Sequence, residues 1–102
     1  WVYSKDAAMG TVLALRARGL GSRIFNITMA SLTQPQDMAK ALQDVVPGAR
    51  IRIETPSATA VSLPNMRAVS DQTISRNVLG YQPKYDLVAG LRDLAQWMKA
   101  RA

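Results

Sequence analysis

The last third of the chain limits its fold most. Asp71-Gln-Thr-Ile-Ser-Arg76 is followed by Leu79-Gly-Tyr-Gln-Pro83, then by Tyr85-Asp-Leu-Val-Ala-Gly-Leu91 with Trp97 beyond. Ser70 or Asp71 can cap a helix, because its side-chain oxygen accepts from the orphan amides of the first turn. Gly80 can end that helix in a left-handed conformation, and Pro83 stiffens the turn that follows. Asp86 then caps a second helix, whose apolar residues Val88, Leu91, Leu94, Ala95 and Met98 recur at helical spacing. The pattern predicts a short helix, a stiff turn and a longer amphipathic helix, with Trp97 and Met98 as core anchors on its apolar face.

Upstream, the pattern alternates between strand-like and helical stretches. Residues 1–4 predict a short apolar strand. Asp6 is placed to cap a helix over residues 7–18, with Ala8, Val12 and Leu15 in register and Gly19 and Gly21 as its stop. Residues 23–28, with Ile24, Phe25 and Ile27, predict a buried strand. Thr33-Gln-Pro-Gln36 is a capping box. It precedes a helix with Met38, Ala41, Leu42 and Val45 on one face, stopped by Pro47-Gly48. Residues 49–54 alternate strictly and predict a strand, residues 55–65 a loop, and residues 67–69 a very short strand. This order predicts one α/β domain over residues 1–102, with about four helices and three or four short, mainly parallel strands.

Composition removes several function classes. The chain has 102 residues, of which 48% are hydrophobic, so a packed domain is expected and not disorder. Cysteine and histidine are both absent, which excludes disulfides, thiolate zinc sites and any histidine acid/base or metal role. No metal site is expected. No apolar run approaches the roughly 18–20 residues of a membrane span, and no signal-peptide pattern is present; a cytoplasmic location is the expectation. The net charge of +6 could serve nucleic acid, but the 13 Lys and Arg are scattered from Lys5 to Arg101, the pattern of a solvated surface. A strand-like Trp-Val-Tyr is a poor natural start, so an upstream portion is expected.

Three stretches, in order, resemble the NAD-dependent epimerase/dehydratase family, the extended short-chain dehydrogenase/reductases. Val2-Tyr-Ser-Lys-Asp-Ala-Ala8 resembles that family's aromatic-Val-His-Val-x-Asp-Val-Ala segment, with Tyr3 in place of the common histidine. Ile24-Phe-Asn-Ile27 is similar to its Val-Tyr-Asn-Ile-Gly strand, although Thr28 stands where the glycine is usual. Asp71 to Trp97 is similar to its Asp-x-Ser-Lys/Arg-Ala, Leu-Gly-Trp/Tyr-x-Pro and Leu-x-Glu-Gly-Leu…Trp run, with Ala89 for the glutamate. The resemblance implies the small C-terminal, substrate-side subdomain of an extended Rossmann-type enzyme. The parent enzyme would use NAD or NADP to carry out reversible hydride transfer on a sugar or small alcohol or carbonyl substrate.

The resemblance also implies that the chain is not catalytic alone. The family's dinucleotide turn, Gly-x-x-Gly-x-x-Gly, is missing; Gly19-Leu-Gly21 follows a predicted helix, not a strand. The catalytic Tyr-x-x-x-Lys pair is missing too, since the fourth residues after Tyr3, Tyr81 and Tyr85 are Ala7, Tyr85 and Ala89. No catalytic or cofactor-binding residue is therefore assigned, and no cofactor is expected on this chain alone. Arg67 and Asn26 are the substrate-binding candidates: arginine suits phosphate by bidentate bonding, and Asn26 matches the family asparagine, which can equally anchor backbone. The expected partners are the missing nucleotide-binding domain and a second copy of the chain, through an exposed strand edge; a membrane is not expected. A small basic nucleic-acid-binding domain and a non-catalytic oligomerisation or scaffold module remain the alternatives.

Overall fold

The computed structural model describes residues 1–21, 23–54 and 69–102. Four helices form: α1 (Ser4–Arg16), α2 (Pro35–Val45), α3 (Thr73–Leu79) and α4 (Leu87–Arg101). α2 packs against α4 and α1 against α3. No strand forms among the described residues, so the expected α/β unit with short parallel strands is replaced by an all-helical fold.

The reason is visible around residues 23–28. A strand needs a neighbour that exchanges backbone bonds with it in series. Here that neighbour is a set of side chains. The Ser75 hydroxyl donates to the Asn26 carbonyl at 2.7 Å, and the Tyr81 hydroxyl donates to the Thr28 carbonyl at 3.1 Å. Gln72 Nε2 donates to the same Thr28 carbonyl. Residues 1–4 and 23–28, both expected as strands, come closest to pairing at one bond, from the Met29 amide to the Trp1 carbonyl at 3.2 Å. One such bond is not a ladder. Residues 49–54 alternate in sequence, yet Ile53 is exposed and Ile51 only half-buried, with no strand beside them among the described residues. The expected loop at 55–65 and most of the expected strand at 67–69 lie outside the described residues.

Helix ends follow local chemistry, with shifts. Asp86 caps α4, its Oδ1 accepting from the Ala89 amide at 2.7 Å. Gly80 closes α3 at φ 67°, donating to the Arg76 carbonyl at 3.0 Å, a conformation that costs other residues about 1–2 kcal/mol. Asp71 lies one residue outside the α3 cap position, and its Oδ1 accepts from both the amide and the hydroxyl of Thr73. The α2 box sits one residue later than Thr33–Gln36: Gln34 is the cap, and its amide donates to Asp37 Oδ2 at 2.8 Å. Asp6 does not cap α1. It lies inside the helix and is buried.

The core is small. Ala41, Leu79 and Tyr81 are the buried hydrophobic residues among those described. On α2, Met38, Leu42 and Val45 are half-buried beside Ala41, so that expected face does pack. On α4, Val88, Leu91 and Ala95 are half-buried, whereas Leu94, Trp97 and Met98 are exposed. Trp97 and Met98, at 53% and 58% exposure, are thus not core anchors. Among the described helices only α2 packs on α4, and the Arg101 guanidinium stacks over the Trp97 ring at 4.5 Å instead.

Two helical glycines allow this packing by having no side chain. A Cβ on Gly90 would lie 3.0 Å from Tyr3 Cδ2 and 3.3 Å from Trp1 Cη2, so both rings rest on α4 at that point. A Cβ on Gly10 would lie 2.7 Å from Ile27 Cγ2 and 2.8 Å from its Cδ1. Alanine is the better helix former by about 1 kcal/mol, but forced overpacking costs about 1–3 kcal/mol. Gly10→Ala is therefore expected to lower the urea midpoint, and Ile27→Ala in the same chain to restore part of the loss. A raised midpoint for the single variant would show that Ile27 does not occupy this notch.

Candidate functional site

A cleft of about 450 Å³ opens between the start of the chain, the turn after residue 28 and the first turn of α2. Trp1, Thr28, Ala30, Ser31, Gln34 and Met38 contribute to its lining. The turn is built around Ala30, whose φ of 53° is the left-handed region that favours glycine. Its amide donates to Thr28 Oγ1 at 3.1 Å. The left-handed residue thus lies two places after Thr28, whose hydroxyl holds the turn and also accepts from Gln72 Nε2 at 3.0 Å.

Of the two substrate-binding candidates, only Asn26 lies among the described residues. Asn26 Nδ2 donates to the Asp71 carbonyl at 2.9 Å, tying the segment to the entrance of α3. Asn26 is thus a backbone anchor and does not line this cleft. Arg67 lies outside the described residues. The structure instead brings forward Thr28, Gln72 and Tyr81. In the sequence Thr28 stood out as a departure from glycine and Tyr81 as part of Leu79-Gly-Tyr-Gln-Pro83, whereas Gln72 carried no sign.

A second cluster joins α1 to α4. Tyr3 donates its hydroxyl to Asp93 Oδ2 at 2.6 Å, and Lys5 Nζ lies 2.8 Å from the same carboxylate. The Tyr3 and Tyr85 rings pack with centroids 4.8 Å apart. Hydrogen bonds from Lys5 and Tyr3 hold the Asp93 carboxyl below its ordinary value. The bond to Asp93 in turn raises Tyr3 and Lys5 above theirs. A catalytic tyrosine–lysine pair needs the reverse, a lysine that lowers the tyrosine. This cluster is therefore a strut between helices.

Its pH dependence follows from those directions. A carboxyl with a depressed folded value contributes stability above its unfolded value and loses it as pH falls through the folded one. Asp93, with an ordinary value of 3.8, thus contributes above that pH and stops contributing well below it. Asp93→Asn is expected to be less stable than the wild type at neutral pH, with the two converging in strong acid. A constant offset across an acid titration of the melting temperature would contradict this. Asp71, held low by Thr73, adds its own acid-side loss in both proteins.

Among the described residues no group of His, Cys, Asp or Glu is arranged to hold a metal ion. No helix among them is long and apolar enough to cross a membrane. Gly19 and Gly21 lie in the exposed turn after α1, and the next helix begins only at Pro35. They cannot present a pyrophosphate to a helix N-terminus as a dinucleotide turn does, so this turn does not fit that cofactor. Comparison of the chain with protein-family models, with curated proteins and with solved structures returned no match.

Proposed function

We propose that the chain is the substrate-side lobe of an NAD(P)-dependent epimerase, dehydratase or reductase, and that it works only when seated on a nucleotide-binding domain. The three motif stretches in family order suggest the parent. The observation that carries the docking is the apolar surface left outside: Leu15 is 80% and Ile24 87% exposed, while Ala41, Leu79 and Tyr81 are the buried hydrophobic residues among those described. Covering such side chains with a partner is favourable by about 25 cal/mol per Å² of apolar surface. In this reading the lobe contributes the cleft at Trp1, Thr28 and Gln34 to a pocket for a sugar or small alcohol or carbonyl compound. NAD or NADP would be held wholly by the other domain, in keeping with the misfit of Gly19 and Gly21.

The deciding experiment is the intact mass of the product in its source cell, with any residues upstream of Trp1 read. A longer polypeptide carrying Gly-x-x-Gly-x-x-Gly and Tyr-x-x-x-Lys supports the proposal. A product of 11.1 kDa overturns it in favour of an oligomerisation or scaffold module. Alone, the chain is expected to self-associate. The route is apolar contact and not edge pairing, since residues 23–28 form no strand. A single monomeric boundary in sedimentation at tens of micromolar would rule this out.

A further inference from the structure

We propose that the free stripe of α4 is the interface for a second copy of this chain, which lies antiparallel across it about a two-fold axis at Leu94. The proposal names the face for the self-association expected above and does not rest on the enzyme reading. Leu87, Leu91, Leu94, Trp97 and Met98 recur along α4 at three-, four- and seven-residue spacing. They therefore form one seam on the helix. The seam is hollow at one end and raised at the other. Beside its first half lies an apolar cleft of about 220 Å³, lined by Leu87, Gly90 and Leu91 of α4, by Met38 of α2, and by Trp1 and Tyr3. Along its second half Leu94, Trp97 and Met98 stand exposed.

Such a shape fits a copy of itself. In an antiparallel pair centred on Leu94, residues about equally far from it in sequence face each other across the two-fold axis. Trp97 and Met98 then lie over the partner's Gly90 and Leu91, so the raised end of each helix fills the cleft of the other. A parallel pair would set Trp97 against Trp97 and leave both clefts empty. Charge selects the same arrangement. Asp86 caps the start of α4 and Arg101 lies in its last turn, and neither makes an ion pair among the described residues. Antiparallel pairing brings Arg101 beside the partner's Asp86, twice in each dimer. A lipid surface fits the seam less well. Arg92 and Lys99 lie roughly 140–160° round the helix from Leu94, so they would face away from anionic headgroups.

The chain contains no cysteine, so single cysteines placed on the full chain report the pairing. A disulfide needs Cα atoms within about 7 Å. Leu94→Cys, on the axis, is expected to cross-link into a dimer under mild oxidation at tens of micromolar. Arg101→Cys is not, because the two copies of that position lie about 21 Å apart at about 1.5 Å of rise per residue. Trp97→Ala, a change at an exposed position, should weaken the dimer about 30-fold or more in sedimentation equilibrium, the loss typical of an anchoring aromatic. Ile24→Ser, outside the seam, should leave the dimer intact. Cross-linking through both cysteines would show parallel pairing and overturn the proposal. So would a dimer broken by Ile24→Ser and not by Trp97→Ala, which would move the interface without touching the enzyme reading. A chain that stays monomeric, whether or not it adsorbs to phosphatidylserine vesicles, would overturn it as well.

Discussion

Replacing Tyr81 by alanine is expected to remove a large part of the stability of this chain. Tyr81 is the largest fully buried side chain and one of three buried hydrophobic residues among those described. Aromatic-to-alanine changes in cores cost about 3–5 kcal/mol, and domains of this kind are stable by only about 5–15 kcal/mol. The loss goes beyond volume. The Tyr81 hydroxyl donates to the Thr28 carbonyl, so the ring ties the end of α3 to the turn that shapes the larger cleft. Tyr81→Phe keeps the ring and should cost about 1 kcal/mol, the net worth of one hydrogen bond. Urea denaturation of the two variants separates these contributions; a mild Tyr81→Ala would mean the core lies elsewhere.

Tyr81 also predicts behaviour in alkali. Burial, and secondarily the charge of Asp6, raise its hydroxyl above the ordinary value of 10.0. A group with a raised folded value contributes stability below its unfolded value and loses it as pH rises through the folded one. The wild type should therefore weaken above pH 10. Tyr81→Phe should flatten that limb without abolishing it, because Tyr3 and Lys5 are raised as well.

Asp6→Ala is the second variant with a large expected effect. The two Asp6 carboxylate oxygens accept from the amides of Lys84 and Tyr85 at 2.9 and 3.0 Å. These amides lie in the turn between Gly80 and α4, so one side chain of α1 fixes the approach of the last helix. Removing it strands two part-buried donors at about 1–3 kcal/mol each, or about 2–6 kcal/mol in all. Asp6→Asn retains one acceptor and should fall between the wild type and Asp6→Ala. Thermal unfolding of the three proteins checks the order. Equal midpoints for Asp6→Ala and the wild type would show that the turn is held without this carboxylate.

The value of Asp6 was only half legible beforehand. An aspartate ahead of a helical pattern reads as its cap, because capping is local and depends on residues a few places away. The carboxylate instead serves donors 78 and 79 positions along the chain. The strand expectations failed for a related reason. Alternation at 49–54 and an apolar run at 23–28 describe the two sides of a segment, whereas a ladder needs a second segment beside it. Ser75, Gln72 and Tyr81 took the carbonyls that such a partner would have used. In the candidate site, Asn26 holds a place in a motif and anchors backbone, the role its residue type favours. Gln72 carried no motif, because its bond to Thr28 exists only once two distant segments are packed together.

What the chain determined by itself is local: Gly80 closing α3, Asp86 opening α4, and an apolar face along α2. Each depends on steric or hydrogen-bonding preferences acting within about one helical turn. Tertiary structure alone decided the rest. Two helical glycines became notches for Ile27 and for the Trp1 and Tyr3 rings. Trp97 and Met98 stayed outside although they continue an apolar stripe, because burial depends on which element lies opposite, and periodicity names only the side that would face it.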